Sequence, residues 1–520
     1  MRSDSGSTTS VWMATSDATD LPQLTRDTRA GVCVVGAGIA GMTTAYLLAR
    51  AGRAVVVIDD GPIGGGETGR TTAHLSNALD DRYYQIQKLH GLTGAKVAAE
   101  SHTAAITRIE AIASQEDIDC DFERVDGYLF LGPGSERDEL ERELNAAHRA
   151  GLLDVELVDK APPDFWNSGP ALRFPRQAQF HPLKYLQGLA RAILRDGGQI
   201  FSQAHAETIV DGEPCRVTTS DGHVITADHV VVATNSPVND WVILHTKQAA
   251  YRTYVIGARV PRGSVPRALY WDTADPYHYI RLHEVDSRLD SAQLEDILIV
   301  GGEDHKTGQE DDTSDPFKAL EEWTRERFPM VKSIDFKWSG QVMEPVDYMA
   351  FIGKNPGTDQ HIYIATGDSG NGMTHGTIAG ILLTDLILGR KNPWTSLYDP
   401  SRKNFRSTPD FIRENLNVAV QFADWVTGGE VDSVDQIQPG SGAVLRRGAR
   451  KVAAYKDDQG VVHMRSAICP HLYCIVDWNS TEKTWDCPCH GSRFDPYGKV
   501  INGPAITSLG EVDQEVPSSQ

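Results

Sequence analysis

The residues best suited to chemistry lie toward the C-terminal end, in CPHLYCIVDWNSTEKTWDCPCHGSRFD, which begins at Cys469. This stretch holds four of the chain's 7 cysteines, set among two histidines. Cys469, His471, Cys487 and His490 form the pattern C-x-H-x15-C-x-x-H. Thiolate sulfur and imidazole nitrogen are ligands for zinc and for iron–sulfur centres. One tetrahedral zinc ion would use all four, but Cys-x-His is a poor chelating bite, and zinc fingers usually pair Cys with Cys and His with His. A two-iron cluster suits the spacing better. Each loop then gives one Cys to one iron and one His to the other, so that two histidines serve a single iron.

The surrounding segments CPHLYC, CPCHGSRFD and NGPA resemble the three cluster-shielding loops of the Rieske [2Fe-2S] family, with Gly503-Pro504-Ala505 as the third loop. The resemblance covers about residues 440 to 515. It implies that Cys474 and Cys489 join the two ligand loops by a disulfide, as in respiratory-type members, the alternative being two buried thiols. Two departures stand out. Tyr473 occupies a position where that type has Gly, and Phe494 replaces a Tyr hydroxyl, while Ser492 keeps a Ser hydroxyl. Hydrogen bonds to cluster sulfur and ligand Cys raise the potential, so the missing hydroxyl implies a lower potential than the respiratory type.

A second motif, Gly36-Ala-Gly-Ile-Ala-Gly41, follows the apolar run from Gly31 to Val35. It leads into a helix-forming stretch, Met42 to Arg50, and a strand-like run, Ala54 to Ile58, that ends at Asp59-Asp60. This is a βαβ unit with a dinucleotide fingerprint. Gly36 permits the tight turn, Gly38 lets the backbone approach a pyrophosphate, and Gly41 lets helix and strand pack closely. The helix N-terminus draws the phosphate charge, and Asp59 accepts from a ribose hydroxyl.

The order GAGIAGMTTAYLLARAG, VVVIDDGPIGGGETGRTTAH and, far downstream, YIATGDSGNGMTHGTIAG resembles the D-amino-acid-oxidase family of FAD enzymes, which includes glycine oxidase and sarcosine oxidase. The resemblance covers about residues 30 to 410. It implies that Gly36, Ala37, Gly38, Ala40, Gly41, Asp59 and Asp60 hold the adenosine diphosphate part of FAD. Gly66, Thr68, Thr71, Thr72 and Ala73 would pass beside the flavin. Gly370, Asn371, Gly372, Met373 and Thr374 would bring a helix N-terminus to the flavin pyrimidine, where its positive end stabilises the anionic reduced ring. No second GxGxxG unit offers a nicotinamide site, so an organic substrate is the expected electron donor.

For that substrate, YHYIRL places Tyr277, Tyr279 and Arg281 on one strand face and His278, Ile280 and Leu282 on the other. In the resembled family, Tyr and Arg on the inserted sheet bind the substrate carboxylate, which implies that role for Tyr277, Tyr279 and Arg281. His74 follows the flavin-side loop and is a further catalytic candidate. Glu303, Asp304, His305, Glu344 and Asp347 are additional candidates whose spacing dictates no chemistry.

These groups need a scaffold. Leu183 to Leu194 reads as an amphipathic helix followed by a strand around Ile200; His229 to Thr234 and His361 to Thr366 read as strands, and Thr377 to Leu388 as an apolar helix. Such alternation argues an α/β domain with a largely parallel sheet. Between Tyr251 and Gly301, YVIGARV, ALYWDT, YHYIRL and ILIVGG suggest an inserted antiparallel sheet. Asn415 to Val426 reads as a helix stopped at Thr427-Gly428-Gly429, and the remainder as a small β domain.

The expected fold is therefore an α/β FAD-binding domain of Rossmann-like, glutathione-reductase type with an inserted, mainly antiparallel β substrate domain, plus a small all-β C-terminal Rieske domain. The expected divisions are a polar N-terminal segment 1–28, a flavoprotein domain 29–410, a helical connector 411–429 and a Rieske domain 430–520. Within 29–410 the FAD-binding parts are about 29–110, 175–245 and 335–400, and the substrate parts about 111–174 and 246–334.

The 520 residues are 40% hydrophobic and 23% charged, with a net charge of −21. No basic stripe offers itself to nucleic acid or an anionic membrane. The N-terminal residues lack a secretory pattern, and no apolar run approaches the ~20 residues of a membrane span. Cys33, Cys120 and Cys215 are scattered, as reduced buried thiols are, so a cytoplasmic protein is expected.

The expected activity is a soluble oxidoreductase with two cofactors, FAD and a [2Fe-2S] Rieske cluster. FAD oxidises an amine or amino-acid-like substrate and passes single electrons to the cluster, then to an external carrier protein or quinone. Two alternatives compete: a flavin monooxygenase fed through the cluster, and a Rieske module that senses redox state or is a structural appendage. No two-His, one-carboxylate iron domain follows the cluster motif, so a ring-hydroxylating oxygenase is not expected.

Overall fold

The structure is a computed structural model that describes residues 5–17, 19–238, 244–284, 295–309, 315–357, 360–403, 429–448 and 450–512. Runs rich in Val and Ile, without polar alternation, suit strands covered on both faces. Such runs are Val32–Val35 and Val230–Val232, at the ends of strands Thr28–Val35 and Val224–Val232, together with strands Val55–Ile58 and Ile362–Thr366. The strands pair in parallel, in the order Ile362–Thr366, Val224–Val232, Thr28–Val35, Val55–Ile58, and then Gln199–Phe201. Phe351–Lys354 closes one edge antiparallel to Ile362–Thr366.

Helices Ile39–Arg50 and Gly372–Ile387 lie against each other side by side and in the same direction. Two glycines allow the close approach. A Cβ on Gly376 would fall 2.5 Å from Ile39 Cγ2, and one on Gly380 would fall 2.4 Å from Thr43 Cγ2. The two N-terminal ends therefore emerge together at one edge of the sheet.

The second sheet runs in the order Ile334–Pro345, Gln248–Pro261, Glu295–Lys306, His278–Glu284, Leu269–Asp272, Glu123–Phe130, Ala171–Gln179, His74–Leu75. It is antiparallel except where Leu269–Asp272 meets Glu123–Phe130. The sheet crosses two of the expected boundaries. Ile334–Pro345 pairs along the length of Gln248–Pro261, and His74–Leu75 pairs with Ala171–Gln179. Sequence periodicity locates strands but not their partners, and these partners lie far away in the chain.

The C-terminal unit is all-β. Ser441–Arg447, Arg450–Lys456 and Val462–Ser466 form one sheet; Asp477–Asn479, Thr484–Asp486, Arg493–Phe494 and Val500–Asn502 form another. The expected connector helix, Asn415 to Val426, lies outside the described residues.

The N-terminal segment departs from its polar reading. Val11–Ala14 forms a short helix whose Trp12 is 0% exposed. Trp12 Nε1 donates to Thr71 O at 2.6 Å, and the Arg281 guanidinium lies 5.1 Å from its ring. Upstream, Ser5 Oγ donates to Glu67 Oε1 at 2.6 Å, and Arg493 Nη1 donates to Ser5 O at 2.8 Å. The segment thus joins the loop of residues 66–73 to the C-terminal unit. The hydroxyls of Ser5, Ser7, Thr8, Ser10 and Thr15 face polar partners that composition alone does not disclose.

Candidate functional site

A cavity of about 290 Å³ runs between the two large sheets. The C-terminal unit supplies part of its wall through Val500, Asn502, Gly503 and Ala505.

The cradle expected for FAD assembles along this cavity. Gly36, Gly38, Ala40, Asp59, Asp60, Gly66, Thr68, Thr71 and Thr72 line it, as do Gly370, Asn371, Gly372 and Met373. Gly36 takes φ +107, and a Cβ there would fall 2.4 Å from Ala233 O. Gly41 does not line the cavity; a Cβ on it would fall 1.9 Å from Gly36 O, so its part is to let helix meet strand. Ala37, Ala73 and Thr374 also stand off the lining. Ala37 N donates to Asp59 Oδ2 at 2.6 Å, and Thr374 Oγ1 bonds His102 Nδ1 at 2.8 Å. Asp59 Oδ1 accepts from Gly61 N at 2.8 Å. A carboxylate has further lone pairs, so a ribose hydroxyl can still be accepted.

Gly38 and Asn371 make no side-chain capping hydrogen bond, and in the first helix Ile39 N donates instead to Thr68 Oγ1 at 3.1 Å. The positive helix ends suit a pyrophosphate at one and an anionic ring at the other. The cradle fits FAD.

The second sheet closes the cavity with His74, Thr253, Trp271, Tyr277, Tyr279 and Asp304, and the loop after His74 adds Asp80. Tyr277 OH donates to Asp80 Oδ2 at 3.2 Å, and Tyr279 OH pairs with Thr253 Oγ1. His74 Nδ1 bonds Thr72 Oγ1 at 3.0 Å and Nε2 reaches Ile280 O at 3.3 Å. Burial, helped by Arg281, pushes His74 down to about 3, so the ring is neutral. Burial pushes Asp80 up to about 6 and Asp304 up to about 7.

Arg281 does not take the place expected of it. Its guanidinium is buried off the cavity and donates to the carbonyls of Ala73, Phe180 and Thr72 at 2.8, 3.1 and 3.2 Å. Strand alternation puts Arg281 on the face shared by Tyr277 and Tyr279. It does not foresee that this end of the strand meets backbone carbonyls.

The other candidates divide. Asp304 lines the cavity. Glu303 lies 3.4 Å from His278 Nε2, His305 is tilted against Tyr254, and Asp347 pairs with Arg402 at 2.7 Å. Glu344 accepts from Ser369 Oγ at 3.0 Å, beside Asp81, which accepts from the same hydroxyl at 2.6 Å. Thr253, Trp271, Asp80 and Gln341 went unmarked because nothing in their local spacing distinguishes them.

The four metal-ligand candidates come together in the C-terminal unit. Cys469 and Cys487 are buried, and the rings of His471 and His490 lie 5.1 Å apart. A hydrogen bond from Cys487 is the chief reason the Cys469 thiol lies below its ordinary range, and Ser492 also hydrogen-bonds to Cys469. Burial, with His471 adding, pushes His490 down to about 4, which leaves it neutral as a ligand must be. His490 Nδ1 is shut off from solvent without a hydrogen-bond partner. An orphaned buried nitrogen is what a metal ligand leaves when the ion is taken away. The donor set fits a [2Fe-2S] cluster with two thiolates and two imidazoles.

Cys474 and Cys489 are joined by a disulfide across the two ligand loops. Tyr473 holds φ +63, the left-handed conformation that a glycine adopts without cost. The third loop closes on the second: Ala505 N donates to Ser492 Oγ at 3.0 Å. Phe494 is fully buried and carries no hydroxyl.

The imidazole side of this centre faces the flavoprotein. The His245 ring lies 4.9 Å from His471 and 6.2 Å from His490, and all three are buried. Gly491 takes φ +77, and a Cβ on it would fall 2.4 Å from Ala250 Cβ and 2.6 Å from Gln341 Nε2. Behind these contacts lies a buried ion pair, Arg70 with Glu482 at 2.9 Å, both side chains 0% exposed. Burial alone would push Glu482 up; Arg70, Arg252 and Arg493 outweigh it and hold the carboxyl at about 2.

Comparison with known proteins agrees with this architecture. The family model for FAD dependent oxidoreductase (DAO) matches residues 31–386, and that for the Rieske [2Fe-2S] domain matches residues 427–514. YhfW of Bacillus subtilis (strain 168), which is named as a Rieske 2Fe-2S iron-sulfur protein, is 32% identical over 507 residues, 96% of this chain and 97% of that protein. Gamma-glutamylputrescine oxidoreductase of Escherichia coli (strain K12) is 28% identical over 372 residues, 69% of this chain and 83% of its own length. Among solved structures, glycine oxidase from Geobacillus kaustophilus shares the fold of the larger part, with a TM-score of 0.61 at 16% identity over 72% of this chain and 99% of that one. Among the described residues no helix is long and apolar enough to cross a membrane. The chain belongs to the DAO family of FAD-dependent oxidoreductases and carries a C-terminal Rieske [2Fe-2S] domain.

Proposed function

We propose that this oxidoreductase takes two electrons from an amine or amino-acid-like substrate at FAD and sends them one at a time through the Rieske cluster to an external carrier protein or quinone. The observation that carries this reading is the shared wall between the two sites. Gln341 lines the cavity, and its Nε2 donates to Gly491 O at 2.8 Å, next to His490. Ala505 also lines the cavity and bonds Ser492, which in turn hydrogen-bonds Cys469.

FAD, when bound, accepts a hydride and releases single electrons, and the cluster handles electrons singly. The chain's own residues do the rest. The N-terminal ends of helices Ile39–Arg50 and Gly372–Ile387 supply positive potential at the cavity edge. Trp271, Tyr277 and Tyr279 wall the substrate end and keep water from the reacting carbon. His74 holds the flavin-side loop against the sheet through Thr72 and Ile280. His245 contacts the rings of both His471 and His490, so these residues would hold the imidazole side of a bound cluster toward the electron source.

Anaerobic mixing of the loaded protein with substrate tests the reading. The flavin should bleach first and the cluster's electron-spin signal should follow. A Cys469→Ser variant should keep flavin reduction and lose onward transfer to a one-electron acceptor. A cluster that stays oxidised beside a reduced flavin would overturn the proposal.

A further inference from the structure

We propose that the site is built for a cationic amine with no carboxylate beside the reacting carbon, and that Asp304 seats its ammonium group. This rests on the amine-oxidising reading above and narrows it to one substrate class.

Among the described residues a substrate carboxylate finds no counter-ion at the cavity. Arg70 is the one Arg or Lys among the described residues that line the cavity, and its guanidinium is held by Glu482, Ser339 O and Thr8. Arg281, the expected carboxylate partner, is committed to three backbone carbonyls away from the cavity. An anion buried without a partner pays a large desolvation cost. The charges that do face this end of the cavity are acidic: Asp80, Asp304 and, near Gly370, Asp368.

Asp304 offers more than its sign. Its Oδ1 is closed off from solvent and has no hydrogen-bond partner, while Thr253 bonds to the carboxylate's other side. A buried acceptor left open is unfavourable, and a ligand N–H that reaches it removes that penalty.

The backbone is also shaped to present this residue. Arg252 pairs with His305 and Tyr254 with Gly302, so Glu303 and Asp304 together oppose Thr253 alone. This is a β-bulge, with Glu303 at φ +57. Bulges re-aim side chains near active sites, and this one brings Asp304 to the cavity.

The surrounding rings complete a seat for a cation. A Cβ on Gly301 would fall 2.2 Å from the Tyr279 ring, and one on Gly127 would fall 2.4 Å from the Trp271 ring. Both glycines let an aromatic ring lie flat on the sheet. Aromatic faces attract ammonium groups, most strongly where water is excluded.

Two ligands of the same shape and opposite charge give the test: tert-butylammonium and pivalate. Neither carries a hydrogen on the carbon next to its charged group, so neither can be oxidised there. Each is titrated into the FAD-loaded full chain, with binding read from the flavin absorption and by calorimetry. We expect tert-butylammonium to bind at least tenfold more tightly than pivalate, and Asp304→Asn to weaken it at least tenfold. Pivalate binding more tightly, or neither ligand binding, overturns the proposal; so does a folded, FAD-loaded Asp304→Asn protein that binds tert-butylammonium as tightly as the parent. Should the variant fail to fold, the paired ligands still decide on the parent protein.

Matched substrates extend the test to turnover: benzylamine against phenylglycine, and butylamine against norvaline. The amine of each pair should reduce the flavin at least tenfold faster, and the reverse order overturns the proposal. Tight tert-butylammonium binding with no flavin reduction by any compound would support the charge preference and count against the oxidation reading alone.

Discussion

Gln341 Nε2 donates a 2.8 Å hydrogen bond to the carbonyl of Gly491, tying the cavity wall to the residue beside His490, the proposed cluster ligand. The contact is possible because Gly491 has no side chain to collide with Ala250 and Gln341. It makes the two redox sites neighbours within one chain.

Gln341→Leu should leave the Gly491 carbonyl buried and unsatisfied, a loss of about 1–3 kcal/mol at this contact. FAD and iron contents should stay unchanged. Cluster reduction after flavin reduction should slow by about tenfold, the equivalent of about 1.4 kcal/mol in barrier. Stopped-flow absorbance, with cluster reduction followed by freeze-quenched electron-spin resonance, separates the two steps.

The Arg70–Glu482 pair should set acid sensitivity. Glu482→Ala leaves Arg70 without its buried counter-ion, at a cost of about 3–5 kcal/mol. In the parent, the folded carboxyl sits at about 2, below the ordinary value of about 4.3. Its stabilisation is therefore complete above the ordinary value and is lost as pH falls toward about 2. Thermal unfolding followed down this range should show a steeper decline for the parent than for the variant.

Asp304 should give ligand affinity a pH dependence near neutrality. Burial, with Asp80 and Glu303 adding and Thr253 and His278 opposing, holds this carboxyl at about 7. Affinity for tert-butylammonium should rise as pH passes upward through that value and then level off. Asp304→Asn should keep only the shallower change from Asp80 and Asp368, both at about 6. Calorimetric titrations across the range read this directly.

The cluster's potential should follow its hydrogen bonds. Phe494→Tyr should raise the midpoint potential, and Ser492→Ala should lower it, because hydroxyl donors near the ligand sulfurs favour the reduced cluster. Redox titration of the electron-spin signal measures both. No rise in the Phe494→Tyr variant would mean that the new hydroxyl does not reach the cluster.

The N-terminal segment should act as a clasp. Trp12→Ala should cost about 3–5 kcal/mol through the lost packing of a fully buried ring. The effect should appear as a lower unfolding midpoint with ligand residues intact. A shift within that expected for a surface substitution, about 0.5 kcal/mol, would show that the segment does not hold the units together.

The candidate cluster-ligand motif and the dinucleotide turn could be read from sequence because both are local. A chelating loop or a phosphate-binding turn is set by a few residues at fixed spacing, so Cys469, His471, Cys487, His490 and Gly36 to Gly41 declare themselves. What those sites face is decided elsewhere. The carbonyls that occupy Arg281, the bulge that presents Asp304, the approach of Gln341 to Gly491 and the burial of Trp12 all depend on segments far apart in the chain. The sequence by itself therefore determined which cofactor chemistry this protein carries. Only the tertiary structure decided which charges meet the substrate and how closely the two centres sit, because burial and long-range pairing, not residue type, control which polar groups remain available.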